Sequence, residues 1–361
     1  MKRASRETTT VSNNQPFEPA CPLPISTKNT VQLAHGGGGR LMQELIQDVF
    51  VRAFHNPLLD SLHDGATWPV EKGTLAFTTD SYVVRPLFFP GGDIGSLAVN
   101  GTINDLAMCG AKPLYLSAGF ILEEGLSRDV LQRVVNSMAE AARVAGVPIV
   151  TGDTKVVNRG KGDEIFINTS GVGLVPAGVR VLPTSIQPDD AILVSGDLGS
   201  HGVAVLSVRE GLAFDGNVES DSTPLHHIVA DLIDKGIDIH CLRDLTRGGL
   251  ASVLNELAEA AKVGMTVEES AVPVSEPVRG ACELLGLDPL YVANEGRFVA
   301  IVPARQAEAT LAVMRRHKAA SLAAHIGMVT DYDASMVALR TVVGTHRVLD
   351  LLSGEQLPRI C

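Results

Sequence analysis

Three aspartates recur beside small residues: Asp80 in Thr78-Thr79-Asp80-Ser81, Asp105 in Gly101-Thr102-Ile103-Asn104-Asp105, and Asp153 in Thr151-Gly152-Asp153-Thr154. Each lies next to an apolar stretch, which places its carboxylate at a strand or helix edge. Magnesium takes hard oxygen ligands, uses few carboxylates and shares its remaining positions with water and nucleotide phosphates. The run His35-Gly36-Gly37-Gly38-Gly39-Arg40 precedes a helical pattern. Glycines there leave backbone N–H groups free to approach phosphate at a helix N-terminus. Together these features point to a magnesium–nucleotide site, although each aspartate alone is more often a cap or turn former and the glycine run serves equally as a hinge. The run is not a P-loop, because GxxxxGK[ST] is absent. Lys155, two residues beyond Asp153, suits charge neutralisation or proton transfer, or a solvated surface.

The sequence closes on Pro358-Arg359-Ile360-Cys361. A terminal cysteine sits at the tip of a movable arm, and its thiolate is a strong nucleophile. Cys361 is therefore suited to carrying a chemical group from site to site, although by itself it reads equally as an accident of where the gene ends. Arg243-Asp244-Leu245-Thr246-Arg247-Gly248-Gly249 reads as a helix cap, and Asn294-Glu295-Gly296 as a turn before a strand. His226, His227 and His240 have no partners at ligand spacing and read as surface or core histidines.

These residues need a scaffold of some size. At 361 residues the chain exceeds one typical core, so two domains are expected. A formal net charge of -11 argues against nucleic acid or an anionic membrane as main partner. Five scattered cysteines without CxxC form neither a disulfide framework nor a zinc pattern and fit a reducing cytoplasm. No apolar stretch approaches the roughly 20 residues of a membrane span. The first thirty residues, polar and proline-bearing without an apolar core, read as a disordered leader.

Hydrophobic spacing at Leu41, Met42, Leu45, Ile46, Val49, Phe50 and Phe54 predicts the first helix. Strands are expected at 75–79, 115–122, 148–151 and 165–175, and helices at 97–109 and after Ser127. Three prolines mark 176–188 as an interdomain crossover. A second α/β unit follows, with strands at 191–195, 297–302 and within 326–349, and helices at 203–209 and 248–262. Two α/β lobes and an extended tail result.

Read together, Gln32-Leu33-Ala34-His35-Gly36, Phe77-Thr78-Thr79-Asp80-Ser81-Tyr82-Val83-Val84, Gly152-Asp153-Thr154-Lys155, Arg243–Gly249, Ala293-Asn294-Glu295-Gly296 and the Pro-Arg-Ile-Cys end resemble the HypE family of hydrogenase maturation factors. That family sits in the superfamily of aminoimidazole ribonucleotide synthetase, selenophosphate synthetase and thiamine-monophosphate kinase. The likeness runs from Val31 to Cys361; the leader departs from it.

The resemblance implies an α/β fold of two synthetase-like domains, at 31–178 and 179–350, with a mobile tail at 351–361. It implies an ATP- and Mg²⁺-dependent dehydratase that turns a carbamoyl group on Cys361 into a thiocyanate, supplying cyanide to nickel-iron hydrogenase. A HypF-like carbamoyltransferase would load the cysteine, and a HypC–HypD-like complex would receive the product. Asp80, Asp105 and Asp153 would hold magnesium. Gly36, Gly37, Gly38, Gly39, Asn104 and Thr154 would join them around the nucleotide, and Glu295 or Lys155 would remove the proton. A homodimer joined through the first lobe is also implied. The rivals are a superfamily small-molecule kinase, which has no use for Cys361, and a scaffold that binds nucleotide only to regulate assembly.

Overall fold

In the computed structural model, the described residues are 39–45, 47, 66–70, 73–212, 218–332, 335–351 and 360. Contacts divide the chain into Met1–Gln32 and Leu33–Cys361, and all described residues fall in the second unit. The leader, Gly36 to Gly38, most of the predicted first helix and Cys361 lie outside the described residues; the helix is described over Arg40–Leu45.

A five-stranded sheet forms first, from β1 (Ala66–Val70), β2 (Gly73–Tyr82), β5 (Lys112–Glu123), β6 (Ile149–Val157) and β7 (Ile165–Val175), with β3 (Phe88–Phe89) and β4 (Gly92–Asp93) as a separate ribbon. Its order is β1-β2-β7-β5-β6. Only β5 and β6 run parallel, as a strand–helix–strand crossover through Arg128–Ala145 requires. Ser127 caps that helix through the Asp129 N–H, as its sequence position predicts, and Gly146 closes it in the left-handed conformation. Its buried face is Val134, Met138, Ala142 and Ala145, while Val135 is 38% exposed.

The helix Ile94–Met108 packs on the same face of the sheet. It starts three residues before its apolar pattern because Asp93 and Ser96 form a reciprocal capping box. Residues alternate between buried and open along β7, so the sheet is covered on one face only.

The second sheet contains β8 (Asp190–Val194), β9 (Cys241–Asp244), β10 (Gly264–Glu268), β11 (Phe298–Pro303), β12 (Ala324–Thr330), β13 (Val337–Arg340) and β14 (His346–Val348). Its order is β14-β13-β10-β12-β8-β11-β9. Every residue of β8 and β11 is buried. Ile192, Val194, Val299 and Ile301 pack with the helix Gly249–Ala261 on one face. Leu193, Phe298, Ala300 and Val302 pack on the other with the helices His226–Asp234 and Ala307–Met314. Continuous aliphatic runs thus report a sheet covered on both sides.

Candidate active site

Four acidic residues from four distant segments converge on one recess: Asp80 on β2, Asp105 near the end of Ile94–Met108, Asp244 at the end of β9, and Glu295 before β11. Thr246 and Arg247 complete its second-lobe wall. The recess measures about 30 Å³, room for a water or an amide-sized group but not for a whole nucleotide.

Each carboxylate is held differently. Asp105 Oδ2 accepts from the Thr78 hydroxyl at 2.8 Å, and Asp80 Oδ1 accepts from the Ser81 N–H at 2.7 Å. Gly101 on the helix is required by Tyr82, because a Cβ there would lie 2.1 Å from the tyrosine oxygen.

Glu295 is 4% exposed, and its Oε1 has no hydrogen-bond partner among the described residues. Burial first, then the charges of Asp244, Asp80 and Asp221, push its carboxyl well above the ordinary range, with Arg247 opposing. Its main chain is fixed. The N–H donates to Asp221 Oδ1 at 3.0 Å and the carbonyl accepts from Asn104 Nδ2 at 3.3 Å. A carboxylate made more basic by burial, held immobile and open to the recess is suited to proton removal.

The other anticipated site residues fare unevenly. Asn104 braces the backbone around the site. Its amide nitrogen donates to the Thr223 and Glu295 carbonyls, and its oxygen accepts from the Leu225 N–H at 2.8 Å. Asp153, Thr154 and Lys155 lie on the edge strand β6, away from the recess. Asp80 pairs with Thr169, Thr169 with Ala118, and Ala118 with Gly152. Asp153 is thus one residue out of that row and three strand spacings away, roughly 14 Å. Cross-strand partners share a face, so Asp153 projects from the uncovered side of the sheet and Asp80 from the helical side. Asp153 and Lys155 pair there at 2.9 Å, both side chains 72% exposed. One chain does not bring the three aspartates onto one metal, and no cluster of three metal-binding side chains exists among the described residues. Gly39 is buried beside Arg40, the remaining described part of the glycine run.

Asp244 and Arg247 are functional candidates hidden by a capping interpretation. The helix they precede is in fact capped by Gly248, without a side-chain bond. Asp221 carries no motif and is identified only by its contact with Glu295. No helix among the described residues is long and apolar enough to cross a membrane.

Asp80 and Asp105 nevertheless suit a divalent cation in chemistry. Both supply hard oxygens beside an acidic recess that has one unpartnered carboxylate oxygen.

Two family models match the chain: AIR synthase related protein, N-terminal domain, over residues 62–175, and the C-terminal domain over 187–338. The carbamoyl dehydratase HypE of Azotobacter vinelandii is 56% identical over 332 residues, covering 92% of this chain and 97% of that protein. A crystal structure of a HypE–HypF complex superposes with TM-score 0.81 at 47% identity, covering 85% of this chain and 99% of that one. A HypE structure in complex with ATP superposes with TM-score 0.78 at 52% identity, covering 92% and 100%.

Proposed function

We propose, from the premise that this chain belongs to the HypE family of carbamoyl dehydratases, that it dehydrates a carbamoyl group on Cys361 to a thiocyanate. The thiocyanate supplies cyanide ligands to the iron of nickel-iron hydrogenase. The single observation that carries this reading is the place of Glu295: buried, with Oε1 unpartnered among the described residues, and facing the aspartates of the recess.

The balance of the step is simple. The carbamoyl oxygen leaves as phosphate, the nitrogen loses both protons, and a C≡N bond replaces the amide on sulfur. ATP supplies the phosphoryl group that makes oxygen a leaving group, and Mg²⁺ offsets its charge. Asp80 and Asp105 would hold that cation. Glu295 takes a proton from nitrogen, and its raised pKa keeps it a usable acid–base group near neutrality. Arg247, on the recess wall, offsets developing negative charge. Asp105→Asn is expected to lower ADP release about a hundredfold without lowering the melting temperature, because it removes one of four clustered acids.

The lobes are a nucleotide-binding and dimerisation domain at 31–178 and a C-terminal α/β domain at 179–350. A homodimer through the open sheet face gives Asp153 and Lys155 their role, in a site completed by a second copy. That face carries Phe77, Tyr115 and Ile121, which are 40%, 53% and 44% exposed, an apolar patch suited to burial against another sheet. Cys361 would be loaded by a HypF-like carbamoyltransferase in the cytoplasm and would deliver to a HypC–HypD-like complex.

The test is ADP release from protein preloaded by that carbamoyltransferase. We expect release only when Cys361 is carbamoylated. Equal release from unloaded protein or from Cys361→Ala would contradict the reading and favour a small-molecule kinase.

A further inference from the structure

Ile360 is 3% exposed and joins the first lobe's apolar cluster with Phe89, Val205 and Ala293. Its carbonyl oxygen lies 2.7 Å from His201 Nε2. His201 is fully buried, in the first turn of the helix Ser200–Arg209, with the Phe89 ring edge-on at 5.3 Å. A carbonyl only accepts, so Nε2 must carry the hydrogen. Burial holds the ring neutral by lowering its pKa, so Nδ1 is an acceptor and takes the Ser220 hydroxyl hydrogen at 2.8 Å. Ser220 Oγ in turn accepts from the Ser222 N–H at 3.1 Å, and the Ser220 N–H is fixed on the Pro90 carbonyl at 2.8 Å. The imidazole has one tautomer and one orientation, set by a chain of donors that ends on the tail.

The next residue, Asp221, holds the Glu295 N–H at 3.0 Å. Adjacent residues therefore secure the seat of the tail and the candidate base, and Ala293, in the tail's apolar cluster, lies two residues before Glu295.

We propose that His201, oriented by Ser220, is a positioning residue that latches the Ile360 carbonyl and so restrains the sulfur-bearing residue that follows. This builds on the tail-borne dehydratase reading, but the latch itself can be measured without turnover.

The test compares wild type, His201→Ala, His201→Gln and Ser220→Ala, each confirmed folded by thermal melting. Alkylation of Cys361 by iodoacetamide is followed by peptide mass, which separates it from the buried thiols Cys109, Cys241 and Cys282. His201→Ala is expected to raise the alkylation rate about tenfold, the loss of one buried hydrogen bond. It should slow ATP-dependent water loss by a similar factor, with carbamoyl loading and the KM for ATP unchanged. Glutamine reaches the same carbonyl with its amide N–H and is expected to restore near-wild-type values. Ser220→Ala, which frees the tautomer but keeps the packing, falls between. Wild-type alkylation rates in folded His201→Ala and Ser220→Ala, or a glutamine variant as reactive as alanine, would overturn the latch. If wild type loses no water with ATP while His201→Ala still exposes Cys361, the latch stands and the dehydratase reading fails.

Discussion

Replacing Glu295 with glutamine is expected to leave carbamoyl loading intact, to slow dehydration by about 10²–10⁴-fold, and to raise the melting temperature. Glutamine keeps the shape and the backbone anchors to Asp221 and Asn104, so the geometry survives. What disappears is an ionisable group that folding disfavours. The folded pKa lies above the unfolded value of 4.5, so above pH 4.5 the native state binds more protons than the unfolded one. Stability therefore falls as pH rises from about 4.5 toward the folded pKa. Glu295→Gln removes that slope, and melting curves from pH 5 upward should diverge in the variant's favour. A lower melting temperature at pH 7 would mean the glutamate is ion-paired instead of strained. Activity and stability moving in opposite directions is the mark of a group retained for chemistry.

Gly296→Ala is expected to damage both together. A Cβ at Gly296 would lie 1.8 Å from the Asp221 carbonyl oxygen, a backbone atom that cannot swing aside as a side chain would. The chain must part there, at a cost of about 3 kcal/mol, and the parting moves Asp221 off the Glu295 N–H. Gly280→Ala is the control. Its Cβ meets nothing within 4 Å and it sits inside the helix Glu276–Leu285, so it should stabilise by up to about 1 kcal/mol. Chemical denaturation measures both, and dehydration in Gly296→Ala should fall further than its folded fraction accounts for.

The two-lobed architecture was readable because burial leaves a periodic trace. The unbroken apolar runs at 191–194 and 298–302 fit strands covered on both faces, whereas β7 shows its open side by alternation. The apolar period missed the start of Ile94–Met108, which Asp93 sets by capping rather than by hydrophobicity.

The site was legible in its parts but not in its grouping. Asp80, Asp105 and Asp153 look equivalent beside their small neighbours, yet pleat parity and strand order send Asp153 to the other face of the sheet. That parity depends on pairings between segments up to ninety residues apart. Asn104 resembles a ligand beside Asp105, and only the fold shows its amide consumed by three backbone groups. Asp221 and His201 stand in no motif. Their significance comes from what the chain brings to them, Glu295 in one case and Ile360 in the other.

The most direct test of the central claim, that Cys361 carries the reacting group, is intact mass of the full chain. The protein is incubated with a HypF-like carbamoyltransferase and carbamoyl phosphate, then with Mg-ATP, beside Cys361→Ala. A gain of one carbamoyl group, then loss of one water on adding ATP, with neither change in the alanine variant, is the predicted result. ATP hydrolysis with no change of mass at Cys361 would contradict it.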